Sequence, residues 1–194
     1  MLTLIDQLLW AIIGLLLTIS GVFIEVAIPI PVFAWPFDIS DITIDTLGVT
    51  LQIGAVLFVG CMGGRNAAVL SQFAYLLLGL SGFQVFSQGG GLGYISQPTF
   101  GYLLGFVAGA WLCGDLAFKL PRKLLSFVLS TLAGLGVIHA FGIVYFTILA
   151  IFQQLPGGWL NSFLNYSFYP IPGQLTILGG VVLLSLFLRR ILMY

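Results

Sequence analysis

A serine and a histidine are the first residues in this sequence that could do covalent chemistry. Ser81 lies in Gly79-Leu80-Ser81-Gly82, and His139, the only histidine, follows in a later apolar run. A hydroxyl whose proton is removed by a nearby imidazole is the arrangement of nucleophilic catalysis. Both residues fall about 15 positions into apolar runs that would cross a membrane in the same direction, so at 1.5 Å per residue each lies roughly 22 Å from the same face. Catalysis also needs donors aimed at a developing oxyanion. Ser81 is expected to close its helix, where the carbonyl end repels negative charge, and no second histidine is there to assist. The plainer reading is a helix-terminating serine and a neutral, hydrogen-bonded interior histidine.

The tetrapeptide resembles the G-x-S-G motif of rhomboid intramembrane proteases, although in that family the serine opens a helix. Two further chemistries fit less well. The run Gly89-Gly90-Gly91-Leu92-Gly93-Tyr94 follows no strand and has no lysine beside it, and no G-x-x-x-x-G-K-S/T occurs, so the usual nucleotide fingerprints fail. Its glycines instead let the backbone fold tightly against a ligand or over a cavity. One histidine, two cysteines and scattered carboxylates form no cluster of metal-ligand spacing. No metal and no cofactor is expected, and the chain is not expected to be an enzyme.

A set of neutral polar and aromatic residues remains: Gln84, Gln88, Tyr94, Gln97, Asn161, Asn165, Tyr169 and Gln174, with Gly91 among them. Pockets for small molecules are mostly apolar with a few placed hydrogen-bonding groups. Such a set suits a small, weakly charged solute.

The elements that must carry these residues follow from composition. The 194 residues are 60% hydrophobic and 6% charged, whereas charged residues are usually about a quarter of a soluble domain. A hydrocarbon core about 30 Å thick takes roughly 20 helical residues per crossing, which leaves room for six crossings and short loops. The cations fall in three places, Arg65, then Lys119/Arg122/Lys123, then Arg189/Arg190. Lys and Arg accumulate on cytoplasmic loops. The expected fold is therefore an all-α integral membrane protein, a single domain over residues 1–194, with six transmembrane helices and both termini cytoplasmic. Asp38, Asp41 and Asp45 share a loop on the opposite face, and no outer basic patch exists for nucleic acid.

The first crossing is expected from Leu4 to Ile28, ended by Pro29 and Pro31, with Glu25 solvated near its outer end. The N-terminus shows no basic n-region followed by a short apolar run and a small-residue cleavage site, so the first helix is expected to stay in the protein. Gly14 and Thr18 form a small-xxx-small pair on it. An outer interfacial loop carries Trp35 and Phe37. Crossings two and three are expected over Thr46 to Gly60 and Asn66 to Phe83, joined by the tight turn Cys61 to Arg65. The fourth runs from Pro98, a residue tolerated at the first helical position, to Asp115. The fifth spans Leu124 to Ile151. A loop with Pro156-Gly157-Gly158-Trp159 leads to Pro170-Ile171-Pro172-Gly173 and the sixth crossing, which ends at Arg189/Arg190. Cys61 and Cys113, at cytoplasmic helix ends, are expected to be reduced structural thiols. No internal repeat suggests an inverted-repeat transporter.

Several stretches, in order along the chain, resemble the BioY family, the membrane-embedded substrate-binding (S) components of energy-coupling-factor (ECF) biotin transporters. They are Asp45-Thr46-Leu47-Gly48-Val49, Leu76 to Gly82 with Val85-Phe86, Gly89 to Tyr94, Pro98-Thr99-x-Gly101-Tyr102-Leu103-Leu104-Gly105-Phe106, and Pro170-Ile171-Pro172-Gly173. The resemblance implies the S-component fold in the cell membrane and high-affinity capture of biotin on the outer side. It implies transport by tilting of the bundle, driven by a transmembrane coupling protein and two cytoplasmic ATPases, with Gly14 and Thr18 in the docking strip. S components for other vitamins or heterocycles share these expectations.

In the family, an aspartate usually follows the proline-glycine pair, with a lysine three residues later. Here those positions hold Gln174 and Ile177. Biotin carries a carboxylate, and a buried carboxylate without a partner is costly. Three arrangements are open: the carboxylate stays in water at the mouth, it sits on backbone donors at the start of the sixth helix, or the ligand is neutral or different. On this reading Ile177→Lys should tighten biotin more than a neutral biotin amide.

Overall fold

Hydropathy decides where the chain crosses, and small residues decide how closely the crossings pack. The computed structural model describes residues 3–34, 38–155 and 157–192. Helix α1 (Leu4–Val22) starts at a capping box, in which Thr3 Oγ1 accepts from Asp6 N–H and Asp6 accepts from Thr3 N–H. These bonds satisfy two of the orphan donors of a helix start. The helix stops six residues short of Ile28 because the chain turns extended at Glu25, which is exposed.

Strands β1 (Glu25–Ala34) and β2 (Asp38–Thr50) then pair antiparallel, with Pro29 opposite Ile44 and Pro31 opposite Ile42. This hairpin replaces the expected irregular loop, and it moves the start of the next helix from Thr46 to Gln52. Proline lacks the N–H that a central strand must donate, and a two-stranded sheet has only edge strands. Trp35, Phe37 and Pro156 lie outside the described residues.

Helix α2 (Gln52–Leu80) is broken at Gly64, whose φ of 72° and ψ of −179° are not helical. Gln52 Nε2 nevertheless donates to Tyr75 Oη at 2.8 Å, although a straight helix would hold residues 23 apart about 35 Å from each other. The two halves of α2 are therefore arms that fold back on each other, over the residues where the second and third crossings were expected. The first arm is only about 18 Å long.

Helices α3 (Phe100–Lys119) and α4 (Leu124–Ile151) follow, α4 with the expected bounds. A short helix α5 (Trp159–Phe163) passes through a π turn, Leu164–Phe168, into α6 (Ile171–Ile191). Among the described residues five helical stretches are long and apolar enough to cross a membrane, counting α2 once and residues 159–191 as one rod.

Glycines set the α3–α4 seam. A Cβ on Gly101, Gly105 or Gly109 would lie within 2.2–2.9 Å of Tyr145, Ile138 or Gly134. Small residues at four-residue spacing allow such close approach of membrane helices.

One end of the bundle collects the cations. Asn66 donates to Gln7 Oε1 at 3.1 Å, which brings the start of α1 to the bend of α2. Asp115 on α3 binds Arg65 at 3.0 Å and Lys119 at 2.7 Å. Arg189 near the end of α6 donates to the carbonyls of Ala117 and Cys61 and lies 4.1 Å over the Phe118 ring. Both described ends of the chain thus share the basic end. Cys61 and Cys113 are buried close by, free, with sulfurs 3.7 Å apart.

Candidate substrate site

Two polar constellations occupy the half of the bundle away from the cations. The first joins α3, α4, the π turn and α6. His139 Nε2 lies 2.7 Å from Gln174 Oε1, its Nδ1 lies 3.2 Å from Ser167 Oγ, and Tyr102 Oη lies 2.6 Å from the same serine oxygen. The Tyr102 ring meets the imidazole edge-on at 5.6 Å. Gln174, Ser167 and Tyr102 are buried, and His139 is half-buried. Gly142 holds the tyrosine in place, since a Cβ there would lie 2.3 Å from the ring. Buried polar groups are generally paired, and this network is paired across four elements.

The second constellation closes the end of the second arm of α2. Tyr75, Phe86 and Tyr94 form an aromatic row, with ring centroids 5.3 Å and 4.6 Å apart. Gln52 donates to Tyr75, which donates to the Val85 carbonyl at 2.8 Å. Tyr94 bonds Ser87 and Thr99, and the Tyr145 hydroxyl donates to the Ile95 carbonyl. The loop from Phe83 to the 3₁₀ turn Leu92–Ser96 is thereby fastened to α2 and α4.

The glycines of this loop act on packing. Gly79 seats the Phe86 ring, Gly91 has φ of +91°, and its N–H donates to the Gly79 carbonyl at 2.7 Å. Gly91, expected to bind substrate, spends its backbone donor on the end of α2. Ser81 caps α2 and donates to the Leu77 carbonyl at 2.7 Å. Both imidazole nitrogens of His139 are engaged elsewhere, so the serine–histidine pair considered from sequence is not assembled.

The expected site residues divide accordingly. Gln174 joins the histidine network and Tyr94 the aromatic row. Gln84 and Gln88 are exposed on the loop. Asn161 and Asn165 are exposed and bond each other at 3.0 Å, so neither reaches His139. Ile177 is buried with Val49 and Val181, and its Cγ2 would be 2.5 Å from a Cβ on Gly54; it packs α6 on α2. Gly14 and Thr18, expected in a docking strip, are buried in α1. Gly14 lies against Val59 and Ser71, while fully buried Thr18 accepts from Gln72 at 3.0 Å. Both face α2 within this chain.

The start of α6 is not an open helix end either. Tyr169 and Pro170 have right-handed helical dihedrals, and the π turn feeds directly into them. Tyr102 and Ser167 were missed from sequence. The glycine spacing on α3 was the available signal for Tyr102, and nothing local marks Ser167.

A separate cleft of about 510 Å³ opens at the basic end, bordered by Arg65, Asp115, Lys119, Arg122 and Arg189. It shares no lining residue with either constellation.

Comparison with known proteins bears on what these constellations serve. The model of the BioY family matches residues 2–193. The probable biotin transporter BioY of Lysinibacillus sphaericus is 36% identical over 76% of this chain and 68% of its own length. A 21.2 kDa protein from the psbX-ycf33 intergenic region of Cyanophora paradoxa is 29% identical over 95% of both chains. The crystal structure of the S-component for biotin from an ECF-type ABC transporter superposes with a TM-score of 0.70 at 20% identity, covering 98% of this chain and 95% of that one. The fold is thus the S-component fold, and its apolar helices make the chain a multi-pass protein of the cell membrane. Matched almost end to end by the family model, this chain belongs to the BioY family.

Proposed function

We propose that this chain is the membrane-embedded component that captures biotin for uptake, as a single unit with no catalytic activity of its own. The observation that carries the reading is the Tyr102–Ser167–His139–Gln174 network, a paired polar group set in an apolar bundle of the BioY family. It lies in the half without Lys or Arg. With the basic end in the cytoplasm, as the distribution of Lys and Arg on membrane loops favours, this half faces outward and both termini face inward. The basic cleft is the weaker candidate for capture, because it would open to the wrong side.

No nucleotide fingerprint occurs in the sequence, so energy must come from partners. By family these are a transmembrane coupling protein and two cytoplasmic ATPases. A second reading, capture of another vitamin or heterocycle, is favoured by Gln174 and Ile177 where the family usually carries an acid and a lysine.

Calorimetric titration of the protein in nanodiscs with biotin, at two pH values bracketing the carboxylate, tests the proposal. Nanomolar binding, about 12 kcal/mol, is the expected result. Absence of binding in folded protein would overturn biotin and leave the second reading.

A further inference from the structure

The four-residue network has a direction, and the direction fixes what it offers a ligand. Tyr102 is buried, and its hydroxyl bonds Ser167 Oγ. A buried phenol proton with no acceptor is costly, so Tyr102 donates to Ser167. Ser167 then turns its own proton toward His139 Nδ1, which accepts. A neutral imidazole protonates one nitrogen only, so Nε2 carries the proton and donates to Gln174 Oε1.

There are two alternatives, because an amide's oxygen and nitrogen are assigned from the network they join and a serine oxygen can accept twice. With the Gln174 amide turned over, full reversal leaves the Tyr102 hydroxyl proton with no acceptor among the described residues, and donation to Ser167 from both Tyr102 and His139 Nδ1 leaves the Ser167 proton with none. Protons therefore run from Tyr102 through Ser167 and His139 to Gln174.

Gln174 ends the chain. Its side chain is 5% exposed, yet its amide nitrogen donates to none of the described residues. The fully buried polar side-chain atoms without a partner among those residues are Gln72 Oε1 and Ser185 Oγ. Gln174 Nε2 is not one of them, so part of its surface stays accessible.

We infer that Gln174 determines specificity by presenting N–H donors, and that the ligand group seated against it is an acceptor oxygen, a carbonyl or a carboxylate. His139, Ser167 and Tyr102 are positioning residues that fix its orientation. The identity of the ligand rests on the biotin reading above; the direction of the network does not. Biotin offers both kinds of oxygen, on its cyclic urea and on its acid tail.

Two measurements test the inference, and the first needs no ligand. His139 is the only histidine, so ¹⁵N-histidine labelling of the protein in nanodiscs reports one imidazole. The Nε2–H tautomer is expected, and Tyr102→Phe should weaken that preference. An Nδ1–H tautomer in the unsubstituted protein would overturn the inference.

The second measurement titrates unsubstituted protein and Gln174→Leu with three ligands. These are biotin, biotinol, which has an alcohol for the carboxylate, and 2-iminobiotin, which has a protonated nitrogen for the urea oxygen. Gln174→Leu should weaken biotin at least tenfold. It should hardly affect the analogue that already lacks the oxygen Gln174 meets, 2-iminobiotin for the carbonyl or biotinol for the carboxylate. Equal weakening of all three ligands, or of none, overturns the assignment. If none binds the unsubstituted protein while the tautomer is Nε2–H, the biotin reading fails and the donor assignment stands.

Discussion

Gly142→Ala tests whether helix packing and site geometry are the same thing in this protein. The added methyl would lie 2.3, 2.4 and 2.5 Å from three atoms of the Tyr102 ring, where ordinary contact begins near 3.4 Å. The ring must retreat by about 1 Å. It cannot swing freely, because its hydroxyl is bonded to Ser167 at 2.6 Å and its ring packs against His139. Overpacking typically costs about 1–3 kcal/mol, and a lost hydrogen bond adds about 1 kcal/mol. Alanine's better helix propensity returns up to about 1 kcal/mol, which leaves a net destabilisation of about 1–3 kcal/mol. Biotin binding should weaken roughly tenfold, the equivalent of about 1.4 kcal/mol, because Gln174 loses its orientation.

Thermal unfolding in detergent and calorimetric titration in nanodiscs read the two effects separately. Tyr102→Phe removes the hydroxyl without the clash, so it should match the binding loss with a smaller stability loss. Gly136→Ala, on the same helix with nothing within 4 Å of the new methyl, should be neutral or slightly stabilising. Unchanged stability and binding in Gly142→Ala would refute the reasoning, since the ring could not then lie where the structure has it.

Two further outcomes follow from the same geometry. Gln88→Cys should react with a membrane-impermeant maleimide in intact cells and Lys123→Cys only after permeabilisation, against a silent background because Cys61 and Cys113 are both 0% exposed; the reverse pattern would invert the topology. Ile177→Lys should lower the unfolding temperature without tightening biotin, because its ammonium would be buried among Val49, Val181 and Gly54 with no anion at hand; tighter binding would return this position to the site.

Crossings were legible wherever the sequence punctuates them. The basic turn before Leu124 and the prolines at 98 and 170 mark the starts of α4, α3 and α6 to within two residues. The hairpin was not read, although its signal was present. Asp41-Ile42-Thr43-Ile44-Asp45-Thr46 alternates polar and apolar types and is rich in β-branched residues, the pattern of a strand. High overall hydropathy drew attention to helices, and Pro29 and Pro31 looked like simple breakers. Both are compatible with a strand that is an edge on each side.

The site was less legible because it exists only where four elements converge. A tyrosine three residues into α3, a serine in a π turn and a glutamine one turn into α6 are individually unremarkable. Hydropathy is a property of single residues, whereas a hydrogen-bond chain is a property of their placement. The placement, however, had a readable cause. Gly101, Gly105 and Gly109 recur every four residues, and Gly134 and Gly142 face that seam from α4. These glycines let α3 approach α4 closely enough for Tyr102 to lie against Gly142 and beside His139. In a membrane, where lipid gives apolar side chains no reason to associate, such rows are a principal means of bringing helices together. The row that packs α3 on α4 is therefore also the feature that aims the site.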